Sequence, residues 1–284
     1  MRAGLLPLVA AALLAACGPR GDGASAQDMG ALLSGAEPDG AAIAQTGTEI
    51  RATVSRDNPA RMLVIGDSLA QGFGMLLQQR APARGLAIEV TNRGRPSTGL
   101  ARGDYYDWPA RLGDMIGRMD PDIVVAHFGA NDMQTVITSE GRTGYGTAGW
   151  EDAYRAQMRR VLALAAEHDI IMYWFGPGPD GNAALNAHLG RINPWFKDES
   201  ARAGATYFPI TPFTTPPDGR FARRVEVNGR TMAMRTADGS HFTGAGYQLV
   251  ADRLLDAVIA RFPALAPADR QAPGGGLVLA GMLQ

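Results

Sequence analysis

Three short polar blocks carry the side chains that could do chemistry in this chain. They are Gly66-Asp67-Ser68-Leu69, Gly129-Ala130-Asn131-Asp132 and Asp238-Gly239-Ser240-His241. Each block follows a predicted strand or precedes a predicted helix, so we expect all three to meet at the carboxyl edge of one sheet. A serine, a histidine and an aspartate that meet in this way can carry out acyl transfer.

The role of each group follows from its chemistry. Ser68 is a weak nucleophile until a base removes its proton, and His241 is the base that this pattern supplies. Asp238 precedes His241 by three residues, a spacing that lets its carboxylate orient the imidazole and stabilise the imidazolium. The Asn131 side chain and the Ser68 backbone N–H would donate hydrogen bonds to the oxyanion. Alone, the Gly-Asp-Ser turn favours a simple helix cap; together with the other two blocks it favours catalysis.

These blocks, in this order and spacing, resemble the SGNH/GDSL hydrolase family of esterases and lipases over about residues 60–262. The resemblance implies one catalytic set: Ser68 as nucleophile, His241 as base, Asp238 as the carboxylate that orients it, and Asn131 in the oxyanion hole. The family also places a backbone N–H of a glycine in the oxyanion hole, after the second strand. Three positions remain open for it here, namely Gly94, Ser97 and Gly99, and we favour the turn at Ser97 to Gly99.

An aromatic run follows the turn at Ser97 to Gly99 in the chain. Its side chains are Tyr105, Tyr106 and Trp108, and together with Ser97-Thr98-Gly99-Leu100 the run looks like an envelope-associated subgroup of the SGNH proteins. These rings could stack on a sugar ring or an acyl group of the substrate, or pack the next helix against the sheet. The sequence leaves both interpretations open.

The elements that must position these blocks alternate along the chain. Apolar runs predict strands at 62–65, 86–91, 123–128, 170–175 and 206–210. Spacings of three and four predict helices at 69–79, 108–119, 149–168, 183–203 and 246–262. This alternation predicts an α/β fold, a doubly wound parallel sheet in a flavodoxin-like three-layer α/β/α arrangement, with its ligand site at the carboxyl ends of the strands.

One insertion, near 221–235, interrupts the alternation. Two extended runs flank Asn228-Gly229, which predicts a β-hairpin with a type I′ turn. The segment carries five arginines: Arg220, Arg223, Arg224, Arg230 and Arg235. They could form a basic lip for an anionic polymer, but we favour a solvated hairpin with charged edges.

The amino-terminal segment predicts export. Residues 1–16 read as a signal peptide, because Arg2 precedes an apolar run too short to span a bilayer as a mature helix. The run ends in Leu14-Ala15-Ala16-Cys17-Gly18, which resembles the lipobox of bacterial lipoproteins. The resemblance implies lipidation of Cys17 and a periplasm-facing membrane lipoprotein, whereas an ordinary signal peptide would make this cysteine incidental.

The remaining chain divides into a tether, a domain and a tail. Residues 17–59 are expected to be a lipid-anchored flexible tether, 60–265 the hydrolase domain, and 266–284 a tail that is either disordered or a late edge strand. A single cysteine rules out an intrachain disulfide. The net charge of −1 gives no reason to expect nucleic acid, and the histidine spacing and the absence of a phosphate loop predict no metal and no cofactor.

The sequence thus predicts an exported serine esterase. Its substrate is expected to be an O-acyl ester, with O-acetyl as one candidate, on an acylated polysaccharide of the cell envelope or on a lipid. One alternative keeps the same triad and transfers the acyl group to a sugar, as an O-acyltransferase. A further alternative is a glycan-binding module without catalytic activity.

Overall fold

The computed structural model describes residues 47, 49–50 and 53–268. The predicted signal peptide at 1–16, the lipidation site Cys17 and most of the tether at 17–59 lie outside these residues. Most of the tail at 266–284 does so as well. Within the described part, no helix is long and apolar enough to cross a membrane.

The described chain contains nine strands and six helices. In order they are β1 (Ala60–Gly66), α1 (Ser68–Ala83), β2 (Ile88–Asn92), α2 (Trp108–Met119), β3 (Ile123–His127), β4 (Val136–Thr138), β5 (Gly141–Thr143), α3 (Trp150–Glu167), β6 (Ile171–Gly176), α4 (Ala183–Arg202), β7 (Thr206–Pro209), α5 (Thr211–Thr214), β8 (Arg224–Val227), β9 (Arg230–Ala233) and α6 (Gly244–Arg261). A short 3₁₀ helix at Pro263–Leu265 follows.

Five strands form one parallel sheet in the order β2-β1-β3-β6-β7. The chain winds outward from β1 to β2 and then returns to the other side of β1 as β3. This order creates a topological switch at the carboxyl ends of β1 and β3, where ligand sites of open α/β sheets lie. The predicted doubly wound parallel sheet is confirmed.

The core lies on both faces of the sheet. This burial explains why β1 is a continuous apolar run in the sequence. Met62 and Val64 pack on the face covered by α1 and α6, whereas Leu63 and Ile65 pack on the face covered by α2, α3 and α4. A strand buried on both faces needs apolar side chains at successive positions. The same reason makes β3 and β6 easy to recognise in the sequence.

Two small hairpins lie outside the main sheet. The hairpin of β8 and β9 is the predicted one, and Asn228 (φ 52°) and Gly229 (φ 72°) both have the positive φ that a type I′ turn requires. The hairpin of β4 and β5 was not predicted. Its two strands have three residues each and no apolar alternation, so nothing in the local sequence distinguishes them from a loop.

Candidate active site

Ser68 is the first residue of α1 and directly follows the turn that ends β1. Asp67 is the N-cap, and its Oδ1 accepts hydrogen bonds from the N–H groups of Leu69 (2.9 Å) and Ala70 (3.2 Å). Gly66 has φ 128°, and a Cβ at this position would overlap the backbone carbonyl of His127. The helix cap and the exposure of the Ser68 hydroxyl therefore result from the same turn.

The structure brings together the three residues of the predicted triad. Ser68 Oγ lies 2.9 Å from His241 Nε2, although the two residues are 173 positions apart in the chain. His241 Nδ1 lies 2.7 Å from Asp238 Oδ2. This is the arrangement in which an imidazole can take a proton from a serine while a carboxylate holds its other nitrogen.

Asp238 is held in place by its own neighbourhood. Its Oδ1 accepts hydrogen bonds from the N–H groups of Ser240 (2.9 Å) and His241 (3.0 Å) and from the hydroxyl of Thr236 (2.7 Å). Desolvation by burial opposes ionisation, but the hydrogen bonds from His241, Thr236 and the backbone outweigh it and hold the pKa of Asp238 well below its usual range. The carboxylate is thus ionised beside the imidazole.

Asn131 and Ser68 each have an N–H group without an acceptor in the described part of the chain. Asn131 Nδ2 donates one hydrogen bond to the carbonyl oxygen of Thr98 at 2.9 Å. Within the described residues no acceptor engages its second N–H or the backbone N–H of Ser68. Both N–H groups are available for a developing oxyanion.

The structure distinguishes the three candidates for the further backbone donor. The N–H of Gly94 is already bonded to Asn92 Oδ1 at 3.0 Å. Gly99 is buried, and a Cβ there would overlap the carboxylate of Asp132. Ser97 is exposed with φ 61°, and no acceptor in the described part of the chain engages its N–H. In the described part of the chain no acceptor engages the N–H of Gly99 either, so Ser97 and Gly99 both remain candidates, and Ser97 is the exposed one of the two.

A buried acid supports the turn that carries Asn131. Asp132 Oδ1 accepts a hydrogen bond from the N–H of Ala101 (2.9 Å), and its Oδ2 accepts one from the hydroxyl of Tyr154 (2.8 Å). Desolvation by burial raises the pKa of Asp132 to about 6. This carboxyl group faces the protein interior and links the turn after β3 to the segment after β2.

A buried histidine lies beneath the nucleophile turn. His127 is 1% exposed, and its Nδ1 lies 3.1 Å from Asp67 Oδ1, the atom that caps α1. We expect such a histidine to support the core, away from the reacting atoms. Among the described residues, no group of three or more His, Cys, Asp and Glu side chains is arranged to hold a metal ion.

The three rings of the aromatic run differ in their exposure. Trp108 is fully buried, and its Nε1 donates to Thr98 Oγ1 at 3.0 Å, so of the two open interpretations packing holds for this ring. Burial of this ring fixes the loop whose carbonyl binds Asn131. Tyr106 packs edge-on against Trp108 at 4.8 Å between ring centroids and is half-buried, while Tyr105 is 57% exposed.

Sequence reasoning missed Arg235. Arg235 is 6% exposed, so the expectation that the arginines of the hairpin segment are solvated is wrong for this residue. Its Nη1 donates to the carbonyl oxygen of Ser240 at 2.6 Å and its Nη2 to that of Pro179 at 2.8 Å. Desolvation by burial lowers the pKa of Arg235 to about 10. No local signal separates it from the other four arginines.

Solved structures with the same fold belong to hydrolases of the GDSL type. A provisionally assigned lipolytic protein of the G-D-S-L family from Desulfitobacterium hafniense DCB-2 has a TM-score of 0.51 at 16% identity, over 69% of this chain and 97% of its own. A GDSL-like lipase from Bacteroides thetaiotaomicron VPI-5482 has a TM-score of 0.50 at 16% identity, over 70% and 88%. A provisionally assigned acylhydrolase from Bacteroides fragilis NCTC 9343 has a TM-score of 0.51 at 15% identity, over 74% and 92%. The predicted SGNH/GDSL fold is confirmed.

Sequence comparison adds the family. No curated protein matches the chain at a significant level. A family described as "Protein of unknown function (DUF459)" matches residues 61–257, which is more than half of the chain. The chain therefore belongs to the DUF459 family.

Proposed function

We propose that this protein is a serine ester hydrolase that forms an acyl-enzyme on Ser68. The observation that carries the proposal is the pair of short contacts on either side of His241, 2.9 Å to Ser68 Oγ and 2.7 Å to Asp238 Oδ2. A non-catalytic glycan-binding module would need neither contact. The relay is also preformed at the sheet edge where ligand sites of this fold class lie.

In the first half-reaction, Ser68 Oγ attacks the carbonyl carbon of the ester while His241 Nε2 takes the hydroxyl proton. The carbonyl oxygen becomes an oxyanion that accepts hydrogen bonds from the N–H groups of Ser68 and Ser97 and from the Asn131 side chain. The C–O bond to the leaving group then breaks, and the imidazolium returns the proton to the departing alkoxide. Asp238 stabilises the imidazolium in between.

In the second half-reaction, water attacks the acyl-enzyme with His241 again as base. The C–O bond to Ser68 then breaks, His241 returns the proton to Ser68 Oγ, and the carboxylic acid leaves. The exposure of the relay supports water as the acceptor, because the side chains of His241 and Asp238 are 44% and 51% exposed. An O-acyltransferase that uses the same triad would have to exclude water from the acyl-enzyme. Hydrolysis is therefore the function that the geometry favours.

The proposed substrate is a short O-acyl ester, with O-acetyl as the leading candidate, on a glycan of the cell envelope. A long acyl chain needs an apolar surface to bury itself. Among the described residues, Met75 and Tyr105 are the large hydrophobic side chains that are exposed. The envelope location is part of the proposal and comes from the predicted signal peptide and lipidation at Cys17.

The test compares wild-type protein with Ser68→Ala and with Ser139→Ala, an exposed serine in the turn between β4 and β5. Hydrolysis of p-nitrophenyl acetate should fall by about 10⁴-fold or more in the first variant and stay unchanged in the second. A fluorophosphonate probe should label Ser68. Equal rates for wild-type protein and Ser68→Ala, or label on another residue, would refute the triad assignment.

Two further measurements address the acceptor and the location. Incubation with an acetyl donor and glycan acceptors should release acetate, as measured by mass spectrometry, whereas acetylated sugar would identify a transferase. Cys17→Ser should lose membrane fractionation in cells. Unchanged fractionation would contradict the lipid anchor.

A further inference from the structure

A basic pocket is lined by residues that precede and follow the loop of Ser97 in the chain. It has a volume of about 430 Å³, and four of the residues that line it are arginines: Arg93, Arg95, Arg111 and Arg118. Asp114 is the one acid in its lining, which leaves four positive charges against one negative charge. The whole chain, in contrast, has a net charge of −1. The positive charge of this pocket is therefore a local feature.

Most of these guanidinium groups lack a carboxylate partner. Arg111 Nη1 lies 3.6 Å from Asp114 Oδ2, at i and i+3 on α2. No carboxylate within the described residues forms an ion pair with Arg93, Arg95 or Arg118. Like charges gathered in one pocket repel each other, and an anion placed among them relieves that repulsion.

An aromatic ring holds two of the guanidinium groups in place. The guanidinium carbons of Arg95 and Arg111 lie 4.8 Å and 5.6 Å from the ring centroid of Tyr106. Cation–π contacts of this kind orient a guanidinium without neutralising its charge. The N–H donors of Arg95 thus stay available for a carboxylate or a phosphate, which arginine binds well through its planar fork, whereas Arg111 is also paired with Asp114.

The pocket and the predicted oxyanion hole share one loop. The backbone N–H of Arg95 donates to the carbonyl oxygen of Gly66 at 2.7 Å, next to the nucleophile turn. Tyr106 packs on Trp108, which bonds to Thr98, and the carbonyl of Thr98 accepts the Asn131 side chain. The arginine pocket is thus linked through this loop to the nucleophile turn and to Asn131.

We propose that this pocket binds a carboxylate on the substrate, so that the preferred substrate is an O-acylated acidic glycan. The inference rests on the proposed ester hydrolysis and names its substrate class. A glycan that carries carboxylates fits the pocket because four arginines line it. A phospholipid would bring a phosphate of similar charge but would also require an apolar surface for its chains.

The first test uses two esters that differ in one charge, 4-acetoxybenzoate and its methyl ester. The quantity measured is the ratio of kcat/KM for the anionic ester to that for the neutral ester. Arg95→Gln and Arg118→Gln should each lower this ratio by about three- to tenfold relative to wild-type protein. The exposed hairpin variant Arg230→Gln should leave it unchanged. Because each ratio is compared with that of wild-type protein, the intrinsic reactivities of the two esters cancel.

A second test measures binding without catalysis. Ser68→Ala protein should bind polygalacturonate by calorimetry, less tightly in 200 mM than in 50 mM sodium chloride, and its fully methyl-esterified form less well than the acid. Adding Arg95→Gln or Arg118→Gln should weaken binding, whereas Arg230→Gln should not. Binding to phosphatidylglycerol vesicles but not to polygalacturonate would overturn the glycan assignment.

The two proposals fail in different ways. If esters are hydrolysed through Ser68 but the charge ratio is the same in all variants, the arginine pocket does not select the substrate. If no ester is hydrolysed, ester hydrolysis is refuted, and the calorimetric measurement still decides whether the pocket binds carboxylates. Equal binding of the acid and its methyl ester would refute the pocket on its own.

Discussion

The guanidinium carbon of Arg235 lies over the ring of Phe242, 3.7 Å from the ring centroid. Phe242 directly follows His241 in the chain. The same guanidinium group donates to the carbonyl oxygens of Ser240 and Pro179. One buried side chain thus fixes the segment on both sides of His241 and ties it to the loop after β6.

Replacement of Arg235 should impair catalysis more than stability. Lysine keeps the charge but loses the planar fork that reaches two carbonyl groups at once, so Arg235→Lys should lower kcat by about tenfold to a hundredfold with little change in KM. Arg235→Met should lower it at least as far. The measurement is steady-state hydrolysis of p-nitrophenyl acetate, together with the rate at which a fluorophosphonate labels Ser68.

The matched control is Arg224→Lys, because Arg224 lies on the same hairpin but is exposed. It should retain the wild-type kcat. A wild-type kcat in Arg235→Lys would show that the two hydrogen bonds do not position His241.

Replacement of Asn131 should lower kcat. Asn131→Ala removes a side-chain donor from the proposed oxyanion hole, and the loss of one such donor typically lowers kcat by about 10²–10³-fold. Asn131→Asp keeps the shape, removes the donors and adds a negative charge where the oxyanion would form, so it should lower kcat further. Both are measured under saturating p-nitrophenyl acetate, and a kcat for Asn131→Ala within twofold of wild type would exclude this role.

Asp238 should be required at every pH at which the enzyme works. Because hydrogen bonds hold the pKa of Asp238 well below its usual range, the carboxylate stays charged from pH 5 to pH 9. Asp238→Asn removes that charge and should lower kcat by about 10⁴-fold throughout this range. Asp218→Asn, at an exposed turn, is the control and should have no effect. A loss that appeared only at one end of the range would contradict this expectation.

The three central strands β1, β3 and β6 could be predicted from the sequence because they are buried on both faces. Each therefore appears as an apolar run that ends at a turn, and the three polar blocks follow or face those ends. The hairpin of β4 and β5 could not be predicted in this way. Its strands are too short for a pattern, and one of them is held by a distant contact, the hydrogen bond from the N–H of Ile137 to the carbonyl oxygen of Ala101 at 2.7 Å.

The details of the site depend on tertiary contacts that no local pattern encodes. Gly94, Ser97 and Gly99 are equivalent by spacing, and only the backbone φ of Ser97 and the bond already made by Gly94 separate them. His188 on α4 is 3% exposed, with its Nδ1 3.1 Å from the Tyr145 hydroxyl. Burial of this kind comes from packing between distant elements.

Asp132 should make stability depend on pH between about 4 and 6. Burial raises its pKa from the ordinary 3.8 to about 6, so the folded state favours the protonated carboxyl group. The stabilisation that this proton gives the folded state is complete below pH 4 and is lost as the pH rises through 6. For a pKa shift of this size, the free energy of unfolding falls by at most about 3 kcal/mol. Asp132→Asn is neutral at all pH values, can still accept from the N–H of Ala101, and leaves Tyr154 a partner.

Urea unfolding at pH 4 to 7 would measure this difference. The free energy of unfolding of wild-type protein should fall relative to that of Asp132→Asn as the pH rises through this window. Asp198→Asn, at an exposed position on α4, should follow the wild-type curve. If wild type and Asp132→Asn ran parallel from pH 4 to 7, the ionisation of Asp132 would not be coupled to folding, and its role would reduce to the two hydrogen bonds that hold the turn of Asn131.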